Sequence, residues 1–359
     1  MRIALLSYST KPRGGVVHTL ALAEALAEEG QDVTVWTLGR GGDSQFFRPV
    51  DPRVRLRIIP FPDVAGEGVG PRILRSISVL RDAFTPDEFD IVHAQDCISA
   101  NAAGPCIRTV HHIDHFTTPE LAACHERAIV SPYAHICVSS AVASELLVGW
   151  GLQATVIPNG VDAARFAGAG NADHWRSRFG RYVLAVGGIE PRKGSLELLE
   201  AHALLRAEAP DVKLVIGGGE TLFDYRDYRA QWDHRAASLG TNPVMLGPVD
   251  HDDLPSLMAG ASAFAFPSTK EGFGLAAMEA LAAGVPLVVS DLPVLREVFD
   301  GAARFAHDVP SLAKQLLLAL SDPPSAAGRA LAARHTWQAA GRAHLDVYRS
   351  RLNAPNQAG

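Results

Sequence analysis

Two glutamates, Glu271 and Glu279, stand eight positions apart in a stretch whose residue types suit a phosphate-bearing ligand. It runs Pro267-Ser-Thr-Lys-Glu-Gly-Phe-Gly-Leu-Ala-Ala-Met-Glu279 and reads as strand end, glycine loop and helix. The helix is expected to begin near Gly274, which places Glu271 in the loop and Glu279 just over a turn inside. Helical side chains lean toward the N-terminus, so Glu279 can reach back toward the loop. The glycines permit close backbone approach, and the free amides of Phe273, Gly274, Leu275 and Ala276 form a natural diphosphate site. A carboxylate beside such amides can accept hydrogen bonds from a vicinal pair of ribose hydroxyls. Taken alone, Glu279 reads equally well as a satisfied polar residue on an Ala-rich helix.

A second stretch, Val186-Gly-Gly-Ile-Glu-Pro-Arg-Lys-Gly-Ser195, is a strand, a glycine turn, two cations and a helix start. Arg192 and Lys193 would meet a phosphate there, although a solvated basic turn has the same composition. It is not a P-loop, since Lys precedes Gly and no G-x-x-x-x-G-K occurs.

These residues need elements to hold them. Short aliphatic runs alternate with amphipathic helices, the pattern of a parallel sheet with helices on both faces. Strand candidates are Ile3–Leu6, Asp32–Trp36, Val54–Ile59, Asp90–His93, Arg108–His111, Ile136–Val138 and Thr155–Ile157. A break follows at Ile157-Pro-Asn-Gly-Val-Asp162, and residues 163–180 show no steady period. The alternation then resumes with Tyr182–Val186, Val212–Ile216, Val244–Leu246, Ala263–Phe266 and Pro286–Val289. The fold class is therefore α/β, two doubly wound Rossmann-like parallel-sheet domains facing a cleft, with ligand at the strand C-termini. Residues 1–160 form the first domain, 161–335 the second and 336–359 a closing helix and tail. Thr336–Leu352 reads as helical, with Trp337, His344, Leu345, Tyr348 and Leu352 as packing positions.

Five features occur in a consistent order: Gly14-Gly15 after the first strand, Ile157-Pro-Asn-Gly-Val-Asp162, Pro191-Arg-Lys-Gly194, Gly217-Gly-Gly-Glu220, and Glu271…Glu279. Together they resemble the retaining, GT-B-fold glycosyltransferases of family 4, from residue 1 to about 300, and the closing helix fits. The resemblance implies a nucleotide-diphospho-sugar donor, UDP-linked in preference to GDP-linked, and an unidentified hydroxyl acceptor that is a small molecule, a glycan or lipid-linked. It implies that Glu279 holds the ribose, that Glu271 and His111 sit by the donor sugar, and that Lys193 with Arg192 stabilises the leaving diphosphate. Gly14 and Gly15 would line the site from the first domain. Many relatives carry Gly-Arg after the second domain's first strand. Here the pair is Gly187-Gly188, so neutralisation of the diphosphate beside Gly188 falls on Lys193, Arg192 and the helix amides. Two other classes on the same architecture compete: a nucleotide-sugar epimerase or hydrolase, and a non-catalytic nucleotide-sugar binder. A Rossmann oxidoreductase is disfavoured, because no G-x-G-x-x-G follows the first strand.

No metal and no cofactor are expected. His111-His-Ile-Asp-His115 follows a strand, where an i,i+4 histidine pair does not converge. Asp250-His-Asp252 matches a D-x-D pattern, but Asp250 or Asp252 as a helix cap explains it more simply. His93-Ala-Gln-Asp96 ends a strand on the acceptor side. Ile73, Leu74, Ile77, Leu80 and Phe84 share one helix face flanked by Arg72, Arg75 and Arg81. Packing on the chain's own sheet is preferred there over peripheral membrane contact. The 359 residues are 47% hydrophobic and 20% charged, enough for a sizeable core. Thirty-three Lys and Arg against 39 Asp and Glu give a net charge of −6, which does not favour nucleic acid. Cys97, Cys106, Cys124 and Cys137 form no C-x-x-C pair and are expected to be buried thiols. No export signal or membrane span is read, and a cytoplasmic location is expected.

Overall fold

The computed structural model of the chain describes residues 1–353 other than 115, 117, 169 and 220–224. Glu220 of the Gly217-Gly-Gly-Glu motif and His115 of the His111–His115 run thus lie outside the described residues. The chain divides into two compact units, residues 1–160 with 337 onward, and residues 161–336.

The first unit is built on seven strands: β1 (Arg2–Leu6), β2 (Asp32–Arg40), β3 (Arg55–Phe61), β4 (Ile91–Ala94), β5 (Ile107–Val110), β6 (Ala134–Cys137) and β7 (Thr155–Val156). They lie in the order β3-β2-β1-β4-β5-β6-β7, all parallel. Central β1 carries Ile3, Ala4, Leu5 and Leu6, all fully buried, as a strand covered on both faces requires. On one face Ile3, Leu5, Ile91 and Ile107 pack with Val16, Leu20 and Leu26 of the helix Gly14–Glu28. The closing helix, Trp337–Asn353, adds Leu345 and Tyr348 to the same cluster. His344 is buried with them, whereas Leu352, in the last turn, is 48% exposed and lies outside that core. On the other face the helix Val69–Ala83 buries Ile73, Ile77 and Leu80, with Phe84 just beyond its end. Leu80 and Phe84 join Trp36, Phe61 and Ala94 in that core, so the Arg-flanked helix packs on its own sheet, with Leu74 left exposed.

The second unit holds β8 (Tyr182–Val186), β9 (Lys213–Gly217), β10 (Val244–Gly247), β11 (Ala263–Phe266), β12 (Leu287–Ser290) and β13 (Arg304–Ala306). Their order is β10-β9-β8-β11-β12-β13, again all parallel. Short β13, absent from the sequence expectations, carries only three residues beside β12 and has too few apolar positions for a pattern.

Three local expectations are corrected. Residues 163–180 are largely helical, as Ala163–Ala167 and Ala172–Phe179. The Asp162 side chain caps the first by accepting from the Arg165 amide at 3.0 Å, and Phe166, Trp175 and Phe179 anchor both in the core. Gly14 and Gly15 form the first turn of the first helix instead of ending a loop. Neither Asp250 nor Asp252 caps the helix Leu254–Gly260: Asp253 is its N-cap, with no side-chain hydrogen bond, and Asp250 serves through its carbonyl, which accepts from Asp253 and Leu254 at 3.1 Å.

Each sheet reverses its winding direction once, between β1 and β4 in the first unit and between β8 and β11 in the second. Ligands of doubly wound sheets bind at such switch points. The Gly14-Gly15 turn follows β1; Arg192, Lys193 and Glu271 follow β8 and β11.

Candidate functional site

In the second unit the chain leaves β8 through Gly187 and Gly188, makes a single 3₁₀ turn at Pro191–Lys193 and enters the helix Ser195–Glu208. Gly194 closes the turn in the left-handed region (φ 62°), and a Cβ there would overlap the Pro267 carbonyl. That close approach joins the two loops, and the Thr269 amide donates to the Arg192 carbonyl at 2.9 Å. Gly187, Gly188, Lys193, Phe266, Pro267 and Ser268 line one small cavity.

The charged groups converge on Glu271. Its Oε1 accepts from Lys193 Nζ at 2.5 Å, from Ser268 Oγ at 3.0 Å and from Arg192 Nη1 at 3.1 Å. Arg192 also donates to Glu190 Oε1 at 2.9 Å. Two cations thus face two carboxylates, and Glu271, the most enclosed member with a side chain 10% exposed, is held rigidly by its donors. The Lys193 ammonium lies 4.9 Å from the centroid of the Phe266 ring.

Phe273 and Gly274 lead into the helix Leu275–Ala282. Gly274 is its N-cap at φ 97° with no side-chain cap, so the amides of the first turn have no intrahelical acceptor. A Cβ on Gly274 would come within 3.0 Å of Phe299. Glu279, one turn further, is half-buried; its backbone carbonyl accepts from the Ala283 amide at 3.0 Å, but its carboxylate accepts no hydrogen bond from a described residue. Burial pushes its carboxyl up to about 7, with Arg165 pulling it back.

In the first unit Gly15 and His111 come together. A Cβ on Gly15 would stand 3.8 Å from the His111 ring, an ordinary contact, and one on Gly14 would meet nothing within 4 Å. The fold therefore requires glycine at neither position. His111 follows β5 directly, and its Nε2 is shut from solvent without a hydrogen-bond partner among the described residues. Burial and the neighbouring His112 drive its pKa down to about 3, so the ring is a neutral hydrogen-bonding group at working pH. His112 instead faces Asp114, Nε2 to Oδ2 at 3.2 Å.

The sequence-predicted residues thus fall into two groups, Glu271 with Lys193 and Arg192 in the second unit and Gly15 with His111 in the first. Sequence reasoning missed Glu190 and Ser268, which complete the Glu271 cluster, and His18, which packs on His111 with ring centroids 4.7 Å apart. The spacing of Gly15 and His18, three apart on one helix, was the available signal. Among the described residues no group of three or more His, Cys, Asp or Glu side chains is placed to hold a metal ion. All four cysteines are free, and burial raises the thiols of Cys97, Cys106 and Cys137 to about 12. Among the described residues no helix is long and apolar enough to cross a membrane.

Comparison with known proteins adds to this geometry. Residues 12–165 match the model of Glycosyltransferase Family 4, and residues 176–342 match Glycosyl transferases group 1. The chain is 32% identical to a phosphatidyl-myo-inositol mannosyltransferase of Mycolicibacterium smegmatis over 97% of its own length and 93% of the relative's. It is 30% identical to a glycogen synthase of Mycobacterium tuberculosis, over 97% and 94%. The solved structure of Anabaena HepE in complex with UDP-glucose shares the fold, with a TM-score of 0.76 at 19% identity, covering 98% of this chain and 100% of that one. Two doubly wound sheets, the glycine-opened helices after β1 and β11 and these matches end to end give one conclusion: the chain belongs to glycosyltransferase family 4 and is a GT-B-fold glycosyltransferase that takes its sugar from a nucleotide-sugar donor.

Proposed function

We propose that the chain is a retaining hexosyltransferase that uses a nucleotide-diphospho-sugar, UDP-linked in preference to GDP-linked, and needs no divalent metal. The observation that carries this is Glu279, a half-buried carboxylate without a hydrogen-bond donor, one turn inside a helix whose first amides are open. Vicinal ribose hydroxyls supply the missing donors, and the diphosphate takes the amides of Phe273, Gly274 and Leu275. Lys193 and Arg192, beside Gly188, receive the charge that grows on the diphosphate as the glycosidic bond breaks. The transition state is loose and oxocarbenium-like. The acceptor hydroxyl attacks from the face the diphosphate leaves, and its proton passes to a departing phosphate oxygen. Glu271 and neutral His111 contact the donor sugar, and Gly14 and Gly15 let the backbone approach it. HepE's complex with UDP-glucose supports a UDP donor. The acceptor is a hydroxyl, and the names of the two sequence relatives point to a lipid headgroup or a glycan.

A thermal-shift panel of UDP, GDP, ADP and dTDP, with EDTA and with Mg²⁺, tests the donor site. Selective stabilisation by one nucleotide, indifferent to metal and lost in Glu279→Ala, is expected. Stabilisation that requires Mg²⁺, or that survives the substitution, overturns this assignment.

A further inference from the structure

Both passages of the chain between its two units end on one buried side chain, His18. Asn159, two residues before the second unit begins, approaches it with Oδ1 2.9 Å from His18 Nδ1. Trp337, the first residue after the chain leaves that unit, lays its ring against the same imidazole, centroids 5.4 Å apart and planes at 78°. The third neighbour is His111, centroids 4.7 Å apart and planes at 80°.

His18 is 1% exposed, and its Nε2, like that of His111, has no hydrogen-bond partner among the described residues. With Asn159 Oδ1 as acceptor, the His18 proton sits on Nδ1 and the Nε2 lone pair is left bare. Asn159 thus selects one tautomer of His18, and Trp337 and His344 (6.0 Å, 62°) block rotation of its ring. His111 lies against this fixed ring, beside the backbone of Gly15, three residues before His18 on the same helix. Its Nε2 makes no bond that would orient it, so its direction rests on those contacts.

We propose that His18 is a positioning residue which, held by Asn159 and Trp337, fixes the ring orientation and tautomer of His111 for its contact with the donor sugar. The proposal rests on the placement of His111 at that sugar.

The test uses the full chain with ¹⁵N-labelled histidine. Imidazole spectra of the ligand-free protein should show His111 in a single tautomer, and His18→Ala should convert it to a mixture. His18→Phe, which keeps the ring volume but loses Asn159, should fall between them and guards against misfolding of the alanine variant. An unchanged His111 spectrum in folded His18→Ala and His18→Phe overturns the proposal. A second readout is release of UDP from UDP-glucose in water. His18→Ala and His111→Ala should each slow it about tenfold, and the double variant should be no slower than His111→Ala alone. UDP affinity should stay within about twofold throughout. Losses that multiply in the double variant mark His18 as merely structural and overturn its role. A His111→Ala variant with unchanged turnover overturns the reading of His111 itself, a failure distinct from the other two.

Discussion

Lys193 donates to Glu271 at 2.5 Å, so the cation proposed to receive the leaving diphosphate is already paired with a carboxylate from the other side of the β8–β11 switch point. A diphosphate bound as proposed would share Lys193 with Glu271, and the two neighbouring anions would repel. Glu271→Gln keeps the side-chain shape but removes that charge, and should tighten UDP binding severalfold while slowing turnover. Lys193→Ala should weaken UDP binding and cut turnover by about 10²–10³, the size typical of a lost charge-stabilising donor. Calorimetric titration with UDP separates the two. Weaker binding in both variants would mean that Glu271 serves only to hold the loop.

Glu279 gives a pH dependence. Its carboxyl titrates near 7 when folded and near the ordinary 4.5 when unfolded, because burial disfavours the charge. Between these values the folded chain holds a proton that the unfolded chain has lost, so this residue's contribution to stability declines as pH rises from about 4.5 through 7. Glu279→Gln removes the decline. The variant should match the parent in urea unfolding at pH 4.5 and exceed it at pH 8. It should bind UDP more weakly at pH 8, since an amide cannot replace the carboxylate in the proposed pair of hydrogen bonds from ribose hydroxyls. A variant with the parent's UDP affinity at pH 8 would remove Glu279 from the ribose site.

The strands and the loop and helix that carry Glu271 and Glu279 were legible because their signals are local. Aliphatic runs of four or five residues mark buried parallel strands, and Gly274 marks a helix start. The partners of Glu271 were less legible. Glu190 and Ser268 meet through Arg192 and Glu271 only once the two loops are joined at Gly194 and Pro267, a contact between distant parts of the chain. The helices of residues 163–179 escaped notice for a related reason. They are short, and their stability comes from Phe166, Trp175 and Phe179 in the core rather than from a long amphipathic period. Asp250-His-Asp252 shows the converse: a local pattern suggested side-chain capping where the structure uses a carbonyl.

Gly15 separates stability from function. A methyl group there would touch the His111 ring at an ordinary 3.8 Å, and alanine loses less backbone freedom than glycine on folding. Gly15→Ala should therefore raise the melting temperature slightly. If the donor sugar approaches this backbone beside His111, the same methyl group should slow turnover by tenfold or more. A variant both more stable and equally active would show that nothing binds closely at this turn.

The first unit's histidines should make it sensitive to acid. Burial holds His18 and His93 well below the ordinary imidazole range, His111 near 3 and His344 near 4. His93 is fixed neutral between Tyr348 Oη at 2.7 Å and Thr109 Oγ1 at 2.8 Å, and His344 Nδ1 donates to the Ala340 carbonyl at 2.7 Å. Below the unfolded value near 6.5 the unfolded chain takes up protons that the folded unit excludes, so stability falls as pH falls. Each such histidine contributes about 1.4 kcal/mol per pH unit once its unfolded form is fully protonated. Urea unfolding at pH 7, 6 and 5 should reveal an uptake approaching about four protons from this cluster. His344→Phe, which keeps a ring in the same core, should lower the uptake by about one. A slope unchanged by that substitution would mean that His344 titrates alike in both states, and burial would not be what holds the cluster neutral.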